Sequence, residues 1–232
     1  MKRIGAIEIL ETLSEKVSPK HTALILVDTT NDFCSPEGKT KTVANRPIEH
    51  ALSIIPNLQV LLQSAREAGL MICHIWHTTL PNNMSDSGPW LDARSRATYS
   101  IPDLCVDGSW GQQTVAELSP LPNEQIIKKC RYSAFVGTRL DQILRSNGIR
   151  TTVIAGVSTN VCVEATARDA FSCEYYVVMP EDCVAAWDFE LHRATLETLR
   201  KRYGVTCASK QLVDLWTGLS SYSKGFVKLE DK

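Results

Sequence analysis

Asp28, Lys129 and Cys162 are the residues of this sequence whose types and positions best suit catalysis. Each closes or closely follows an apolar segment that is typical of a buried strand. In an open parallel sheet, ligands bind outside the carboxyl ends of the strands, because loops and helix N-termini converge there. We therefore expect these three side chains to meet at one crevice.

Together the three residues could attack a carbonyl group. Cys162 opens a helical stretch after a short polar turn, and unpaired N–H groups and the dipole at a helix N-terminus favour a thiolate. Asp28 is predicted to take the thiol proton and give it to a departing amine, while the Lys129 ammonium stabilises the negative partner. The backbone N–H groups of Ser158 and Cys162 are predicted to form an oxyanion hole. Such a site transfers an acyl group to water and needs no metal ion.

Each residue also has a purely structural interpretation. Asp28 can cap the loop that follows it, Lys129 can be a solvated strand end, and Cys162 can be a packed thiol. A dyad of Cys162 with a histidine is a rival catalytic arrangement. His74 falls in mid-strand and is expected in the core, whereas His77 falls at a strand end and is expected to contact ligand.

The elements that position these residues are predicted from alternating strand-like runs and helical patterns. This alternation is typical of βαβ units. We predict an α/β fold with three layers, in which a doubly wound, mainly parallel six-stranded sheet carries helices on both faces. Residues 1–232 are expected to form a single domain with a core at about 22–208. The strands are expected at residues 21–28, 70–76, 126–129, 151–157, 175–179 and 205–208.

Helix boundaries are predicted from capping and stop signals. The helix before the second strand is expected to stop at Gly69. Thr138 with Asp141 resembles a capping box, and Asp188 is predicted to cap a later helix.

Residues 78–110 lose periodicity and are rich in Pro, Asn, Ser, Asp and Gly. This excursion is expected to be a functional loop with a few short turns that forms part of a pocket lid. Arg94 and Arg96 lie within it and could pair with a substrate carboxylate. Their alternative interpretation is a solvated pair of cations.

Composition narrows the class of partner. The 232 residues are 44% hydrophobic with a formal net charge of −1, and no long block of one sign suggests nucleic acid or an anionic membrane. No apolar run suggests a membrane span or a secretory signal, so a cytoplasmic location is expected. None of the eight cysteines forms a CxxC pair, which argues against structural zinc. A small-molecule substrate and no cofactor are expected.

The motifs around the three residues resemble those of the isochorismatase-like cysteine hydrolases. Residues 23–33 resemble the opening strand of the family with its catalytic aspartate, Lys129 matches its lysine, and residues 156–163 match the segment that bears the nucleophile. The likeness extends over about residues 22–208. It implies a parallel sheet between helices and, frequently, a homo-oligomer, here a dimer or a tetramer.

The resemblance also implies details of the site. Asp28, Lys129 and Cys162 would be the catalytic residues. The Val157–Ser158 peptide bond would be cis, which would aim the Ser158 N–H at the oxyanion.

Within the family, residues 129–135 and 140–150 are most similar to the ureidoacrylate amidohydrolase branch, with biuret, triuret and N-carbamoyl amide hydrolases as similar neighbours. This implies a hydrolase for carbon–nitrogen bonds of linear amides that forms an acyl-enzyme on Cys162. Metal-dependent nicotinamidases carry an Asp-x-His motif and a further histidine, and residues 77–83 do not provide them. Isochorismatases that cleave a vinyl ether can lack the cysteine, so Cys162 favours amide chemistry.

Aromatic side chains near the predicted strand ends could pack a small planar ureido group, although such residues are as often plain core. We predict five substrate-binding residues: Phe33, Trp76, His77, Tyr132 and Trp187. Three alternatives remain open: a vinyl ether hydrolase or another small-amide amidase of the same family, a non-catalytic binding module, and a thiol-redox protein with a resolving cysteine.

Overall fold

Parallel strands form the central sheet of the protein. The computed structural model describes residues 2–96 and 101–225, without the side chains of Arg96 and 219–225. The strands are β1 (Lys2–Ile4), β2 (Ile7–Ile9), β3 (Thr22–Val27), β4 (Met71–His77), β5 (Gln125–Lys129), β6 (Thr151–Val157), β7 (Tyr176–Pro180), β8 (Val184–Ala185) and β9 (Gly204–Cys207).

The main sheet has seven strands. Six of them lie in the order β5-β4-β3-β6-β7-β9, and β8 pairs with β6 off this path. All of these pairings are parallel. The prediction of six strands is therefore wrong by one. The extra strand has two residues, beside Gly156 and Val157, where β6 extends beyond its pairing with β7. A strand this short leaves no period in the sequence.

The chain begins with a hairpin that the sequence did not predict. Strands β1 and β2 pair antiparallel, and Gly5 at their turn has φ 60°, a conformation that favours glycine. The hairpin is a separate two-stranded sheet.

Helices cover the sheet. They are α1 (Leu13–Lys16), α2 (Asn31–Cys34), α3 (Lys39–Thr42), α4 (Glu49–Ser53), α5 (Ile55–Glu67), α6 (Gly88–Arg96), α7 (Leu140–Ser146), α8 (Glu164–Ser172), α9 (Phe189–Arg202) and α10 (Ser209–Gly225).

Alternate residues of the buried strands face two separate cores. Leu24 and Leu26 of β3 pack on one face with α5 and α10, whereas Ala23 and Ile25 pack on the other face with α7, α8 and α9. This alternation is what a strand with two buried faces requires. The predicted α/β fold with three layers is confirmed.

Helix α10 extends the core past the predicted limit at residue 208. Leu212 and Trp216 are fully buried in the same core as α5. The indole Nε1 of Trp216 donates to the Val17 carbonyl oxygen at 2.9 Å. This contact joins the last helix to the segment before β3.

The excursion between β4 and β5 is more ordered than predicted. It contains the nine-residue helix α6 as well as single 3₁₀ turns. Residues 97–100 of the predicted lid lie outside the described residues. Among the described helices, none combines the length and apolarity needed to cross a membrane.

Candidate active site

A buried lysine bridges an aspartate and a cysteine at the carboxyl ends of β3, β5 and β6. The Lys129 Nζ atom lies 2.8 Å from Asp28 Oδ2 and 3.4 Å from Cys162 Sγ. It also donates to the Arg131 carbonyl oxygen at 3.2 Å. An ammonium group has three hydrogens, so these contacts use its full donor capacity. Lys129 therefore joins the three residues that the sequence placed at separate strand ends into one hydrogen-bonded cluster.

Strand β4 fixes the orientation of the Asp28 carboxyl group. Asp28 has φ 52°, in the left-handed region, where Asp is tolerated better than most residues. Its amide still donates to the Ile75 carbonyl oxygen, and its Oδ1 atom accepts the backbone N–H of His77, each at 2.9 Å. One carboxylate oxygen is therefore held by the backbone and the other by Lys129.

Strand register brings Lys129 to the same end of the sheet as Asp28. Lys129 is the last residue of β5 and pairs with His77, the last residue of β4. The Thr78 amide then donates to the Lys129 carbonyl oxygen at 2.7 Å. Because β4 lies between β3 and β5, Lys129 and Asp28 reach each other past the end of β4.

A close approach of two strands positions the segment that carries Cys162. Gly156 of β6 has φ 117°, and a Cβ atom there would lie 2.1 Å from the Val27 carbonyl oxygen. Only glycine fits this position. The Val157–Ser158 bond is cis, as the resemblance implied. A π-helical turn at Thr159–Val163 follows and carries Cys162.

The carbonyl oxygen of Cys162 is also tied to the helix that follows the turn. It accepts the Thr166 hydroxyl of α8 at 2.7 Å, and that hydroxyl oxygen accepts the Ala134 amide at 3.1 Å. The cysteine backbone is therefore linked to the loop that follows β5.

Burial and charge oppose each other in this cluster. Burial disfavours the charged form of Lys129, but the Asp28 carboxylate and Cys162 outweigh it, so the pKa of Lys129 is raised. Burial also raises the pKa of the Cys162 thiol, and the Asp28 carboxylate adds to the effect while Lys129 opposes it. The raised pKa of Cys162 opposes the thiolate that a helix N-terminus alone would favour. The protonated thiol needs a base.

His77 joins the cluster to a cavity. Burial lowers the pKa of His77 to about 4, and the Lys129 ammonium adds to the effect, so its imidazole is neutral at pH 7. Its ring lies 6.4 Å from Phe33 and 6.3 Å from Trp90, measured between centroids. Its Nδ1 atom is buried without a partner among the described residues.

The cavity, about 150 Å³ in volume, lies next to the cysteine. Ser158 and Cys162, the predicted oxyanion-hole residues, line it. Four of the five predicted substrate-binding residues also line it: Phe33, His77, Tyr132 and Trp187. Their contact with a substrate remains a prediction.

Trp76 is the exception. Its indole donates to the Thr114 hydroxyl at 2.8 Å, and it does not line the cavity. Adjacent residues of a strand face opposite sides, so Trp76 and His77 cannot point into the same cavity from β4. We correct the assignment and leave Trp76 out of the substrate-binding set.

Of the two arginines in the predicted lid, Arg94 lines the cavity. Its guanidinium donates to the Ile101 carbonyl oxygen at 3.0 Å and lies 3.8 Å from Asp86. The side chain of Arg96 lies outside the described residues.

Sequence reasoning missed seven residues of the cavity wall: Thr40, Arg46, Thr79, Trp90, Ile101, Leu104 and Val161. The polar segment that contains Thr40 and Arg46 has no periodicity, so only the folded chain shows its position. Trp90 had a weak signal. It lies four residues before Arg94, one turn away on the same face of α6. Its ring is tilted by 51° relative to the Tyr132 ring, with the two centroids 4.7 Å apart, and the Arg131 guanidinium lies 5.1 Å from the centroid of the Trp90 ring.

No three His, Cys, Asp or Glu side chains within the described ranges are grouped closely enough to hold a metal ion. The arrangement supplies a nucleophile, a carboxylate and a fixed cation beside an aromatic cavity. This combination can carry out covalent attack on a small carbonyl compound.

Comparisons with known proteins agree with this geometry. The ureidoacrylate amidohydrolase RutB of Agrobacterium fabrum is 34% identical over 199 residues, which are 81% of this chain and 86% of that protein. A crystal structure of a cysteine hydrolase from Pseudomonas syringae pv. phaseolicola matches with a TM-score of 0.76 at 25% identity, covering 88% of this chain and 95% of that chain. N-carbamoylsarcosine amidase from Thermoplasma acidophilum matches with a TM-score of 0.66 at 27% identity, covering 82% and 96%.

The sequence profile of the isochorismatase domain family matches residues 22–211 of this chain. That range includes all seven strands of the main sheet together with Asp28, Lys129 and Cys162. The chain belongs to the isochorismatase family.

Proposed function

We propose that this protein is a cysteine amidohydrolase that cleaves a linear carbon–nitrogen bond of a small ureido or carbamoyl-amide substrate, such as ureidoacrylate, biuret or triuret. The observation that carries the proposal is the Lys129 ammonium, which contacts both Asp28 and Cys162 beside the cavity. The prediction of a hydrolase for carbon–nitrogen bonds is confirmed by the name of the Agrobacterium fabrum relative, an amidohydrolase. The substrate and the covalent route are our proposal.

The first half of the reaction forms a covalent intermediate. Asp28 takes the thiol proton while Cys162 Sγ bonds to the substrate carbonyl carbon. The carbonyl oxygen becomes an oxyanion, which the backbone N–H groups of Ser158 and Cys162 stabilise. The carbon–nitrogen bond then breaks, and the departing nitrogen takes the proton from Asp28. Amine or ammonia leaves, and an acyl or carbamoyl group remains on the sulfur.

The second half returns the free thiol. A water molecule gives a proton to Asp28 and its oxygen bonds to the thioester carbon. The carbon–sulfur bond breaks, and the sulfur takes the proton back from Asp28. Lys129 keeps its positive charge throughout and stabilises whichever of the two neighbours is negative. In each half of the reaction, Asp28 therefore acts first as a general base and then as a general acid.

The nature of the nucleophile separates this proposal from its alternatives. A vinyl ether hydrolase would not form an adduct on Cys162, and a non-catalytic binding module would release no product. A redox protein would form a disulfide between Cys162 and a resolving cysteine, which thiol titration before and after peroxide treatment would detect.

Ammonia release and intact mass test the proposal together. The wild type is incubated with ureidoacrylate, biuret, triuret and N-carbamoylsarcosine, and released ammonia is measured. We expect turnover of at least one ureide. Cys162→Ala and Cys162→Ser should lose turnover by at least about 10³-fold, since removing a nucleophile typically costs this much. Rapid quenching of the wild type should trap a mass increase on the Cys162 peptide.

Cys173→Ala is the matched control, because Cys173 is a free, half-buried thiol outside the cavity. It should retain wild-type turnover. Near-normal activity of Cys162→Ala, or no turnover of any ureide by the folded wild type, would overturn the proposal.

A further inference from the structure

One part of the cavity wall consists of hydrogen-bond donors. It is formed by Thr40, Arg46 and Trp187, which we call the donor corner. The Arg46 amide donates to the Thr40 carbonyl oxygen at 3.0 Å, and the Arg46 guanidinium lies 5.4 Å from the centroid of the Trp187 ring. These contacts hold the three residues together.

Two polar atoms of the donor corner are buried without a partner among the described residues. They are the Thr40 hydroxyl oxygen and the Trp187 indole nitrogen. Thr40 is only 2% exposed. A buried polar group that pairs with neither protein nor water costs about 1–3 kcal/mol. Two such groups on the wall of one cavity point to a ligand that pairs with them.

The donor types indicate the chemistry of that ligand. An indole N–H and a guanidinium can only donate hydrogen bonds, and a threonine hydroxyl can donate as well. The complementary group is an acceptor with more than one oxygen. The Arg46 charge favours an anion, and Arg–carboxylate hydrogen bonds are stronger than neutral ones.

The balance of charge along the cavity agrees with an anionic ligand. The described lining residues include Arg46 and Arg94 but no aspartate or glutamate. Arg94 already donates to the Ile101 carbonyl oxygen and has Asp86 at 3.8 Å. The donor corner combines an arginine of the cavity wall with two buried polar atoms that have no partner among the described residues, which makes it the better place for a carboxylate.

The donor corner has a fixed position relative to the catalytic residues. Thr40 lies in α3, where the Lys39 amide donates to Asp32 of α2 at 3.1 Å. Helix α2 begins three residues after Asp28. On the cavity wall, the Phe33 ring lies 6.0 Å from Trp187 and 6.4 Å from His77, between centroids. One phenyl ring therefore separates the donor corner from the histidine next to Asp28.

We propose that the donor corner binds the carboxylate of a ureido acid whose carbonyl carbon lies at Cys162, and that it selects ureido acids over neutral ureides. This inference rests on the proposed amidohydrolase function. Within that function it assigns specificity to Thr40, Arg46 and Trp187. Neutral biuret-type compounds would leave the two buried donors unpaired and would react less well.

A matched pair of substrates tests the selection. The ratio of kcat/KM for 3-ureidoacrylate to that for its neutral carboxamide, 3-ureidoacrylamide, is measured in each variant. Arg46→Met keeps an alkyl chain on the Trp187 ring and removes the charge. We expect this ratio to fall by about 10- to 100-fold, the range for a hydrogen bond to a charged group, mainly through KM for the acid.

Two further variants each remove one donor, and Thr40→Val also keeps the shape of the side chain. Thr40→Val and Trp187→Phe should each lower the same ratio by about 3- to 10-fold, the range for a single hydrogen bond. Arg193→Met is the control, because Arg193 is an exposed arginine of α9 outside the cavity. It should leave the ratio unchanged.

A binding measurement separates failure of this inference from failure of the proposed function. Calorimetry measures 3-ureidoacrylate binding to Cys162→Ala, with and without Arg46→Met. At least about 10-fold weaker binding in the double variant supports the donor corner even if the wild type hydrolyses neither compound. Equal binding in both proteins overturns the inference. An unchanged kcat/KM ratio in Arg46→Met, with both substrates hydrolysed, overturns it while the amidohydrolase function stands.

Discussion

Lys129 keeps its charge in a place where water cannot reach it, because the Asp28 carboxylate compensates that charge. The two side chains are 0% and 1% exposed. Removing one partner of a buried ion pair leaves an uncompensated charge and costs about 3–5 kcal/mol. Asp28 therefore affects the site in two ways. It compensates the lysine and it accepts the proton of Cys162.

Asp28→Asn should change thiol reactivity and turnover in opposite directions. Asparagine tolerates the positive φ of position 28, so the substitution removes charge with little backbone strain. The Asp28 carboxylate raises the pKa of Cys162 and Lys129 opposes it, so the variant should lower that pKa. Because the thiolate fraction grows as pH rises through the pKa, the alkylation profile should move to lower pH. Turnover should fall by about 10²- to 10⁴-fold, since the general base is lost.

The measurement is the rate at which iodoacetamide labels the Cys162 peptide between about pH 6 and pH 10, together with ammonia release. Asp214→Asn is the control, since Asp214 pairs with Lys210 on the exposed face of α10. It should leave both rates unchanged. Slower alkylation together with slower turnover in Asp28→Asn would show that Asp28 has only a structural role.

The sequence predicted which residues meet but not how burial changes them. Asp28, Lys129 and Cys162 follow from strand ends, because the carboxyl ends of parallel strands share one edge. The raised pKa of Cys162 depends on desolvation, which only the packed structure reveals. Similarly, Trp76 and His77 are neighbours at one strand end, and the direction of each side chain depends on the register of β4.

At the scale of elements, the contact between β3 and β6 positions the catalytic residues. Asp28 follows the last residue of β3, and the segment with Cys162 follows β6. Val27 and Gly156 are partners in the register of these strands. The position of the carboxylate relative to the thiol therefore depends on how closely the strands approach at this pair.

Gly156→Ala should disrupt the fold and the site together. The added Cβ would lie 2.1 Å from the Val27 carbonyl oxygen, a backbone atom that cannot move aside easily, and φ 117° disfavours alanine. We expect a loss of about 2–4 kcal/mol in the free energy of unfolding, which is typical of strain at a special backbone position. Turnover of the folded fraction should fall at least about 10-fold, because small misplacements are costly for catalysis. Urea unfolding followed by circular dichroism and ammonia release measure the two effects.

Gly218→Ala is the matched control, because an added Cβ there has nothing within 4 Å and the residue lies in α10. Alanine favours helices, so this variant should be neutral or slightly more stable. If Gly156→Ala behaved like Gly218→Ala, the close approach of β3 and β6 would not be needed.

Element boundaries were predicted best where a local signal agreed with the tertiary packing. Asp188 caps α9, since its carboxylate accepts the Leu191 amide at 2.9 Å. The predicted capping box of Thr138 with Asp141 is wrong. The Thr138 hydroxyl accepts the Leu140 amide at 3.1 Å, while Asp141 pairs with Arg145 and the Tyr175 hydroxyl. The competing tertiary partners of Asp141 do not appear in a local pattern.

At the scale of the whole molecule, the sequence predicted the layers but not the ends of the chain. The alternation of strands and helices gave a parallel sheet between helices, because this pattern has few other ways to bury its apolar faces. The hairpin at Lys2–Ile9 and helix α10 were missed. The hairpin has three-residue strands that are largely exposed, so they carry little apolar signal. Helix α10 is joined to the core through Trp216. Its hydrogen-bond partner Val17 lies 199 positions away in sequence, so no local pattern shows this contact.

Trp216→Phe tests whether α10 is part of the cooperative core. Phenylalanine removes the Nε1 donor and leaves the buried Val17 carbonyl oxygen without this partner, and its smaller ring leaves a gap in the core of α5. Unpaired buried groups cost about 1–3 kcal/mol, and lost packing adds to this. We expect the free energy of unfolding to fall by about 2–4 kcal/mol in urea, with a single transition.

Trp110→Phe makes the same chemical change at a side chain that is 50% exposed, so it should cost less than about 0.5 kcal/mol. The comparison matters because both variants remove one indole from the same chain, and only Trp216 links the last helix to the segment before β3. A similar unfolding free energy for the two variants, or a second transition in the Trp216 variant, would mean that α10 unfolds independently. A large difference with one transition would mean that helix α10 folds cooperatively with the sheet that positions Asp28, Lys129 and Cys162.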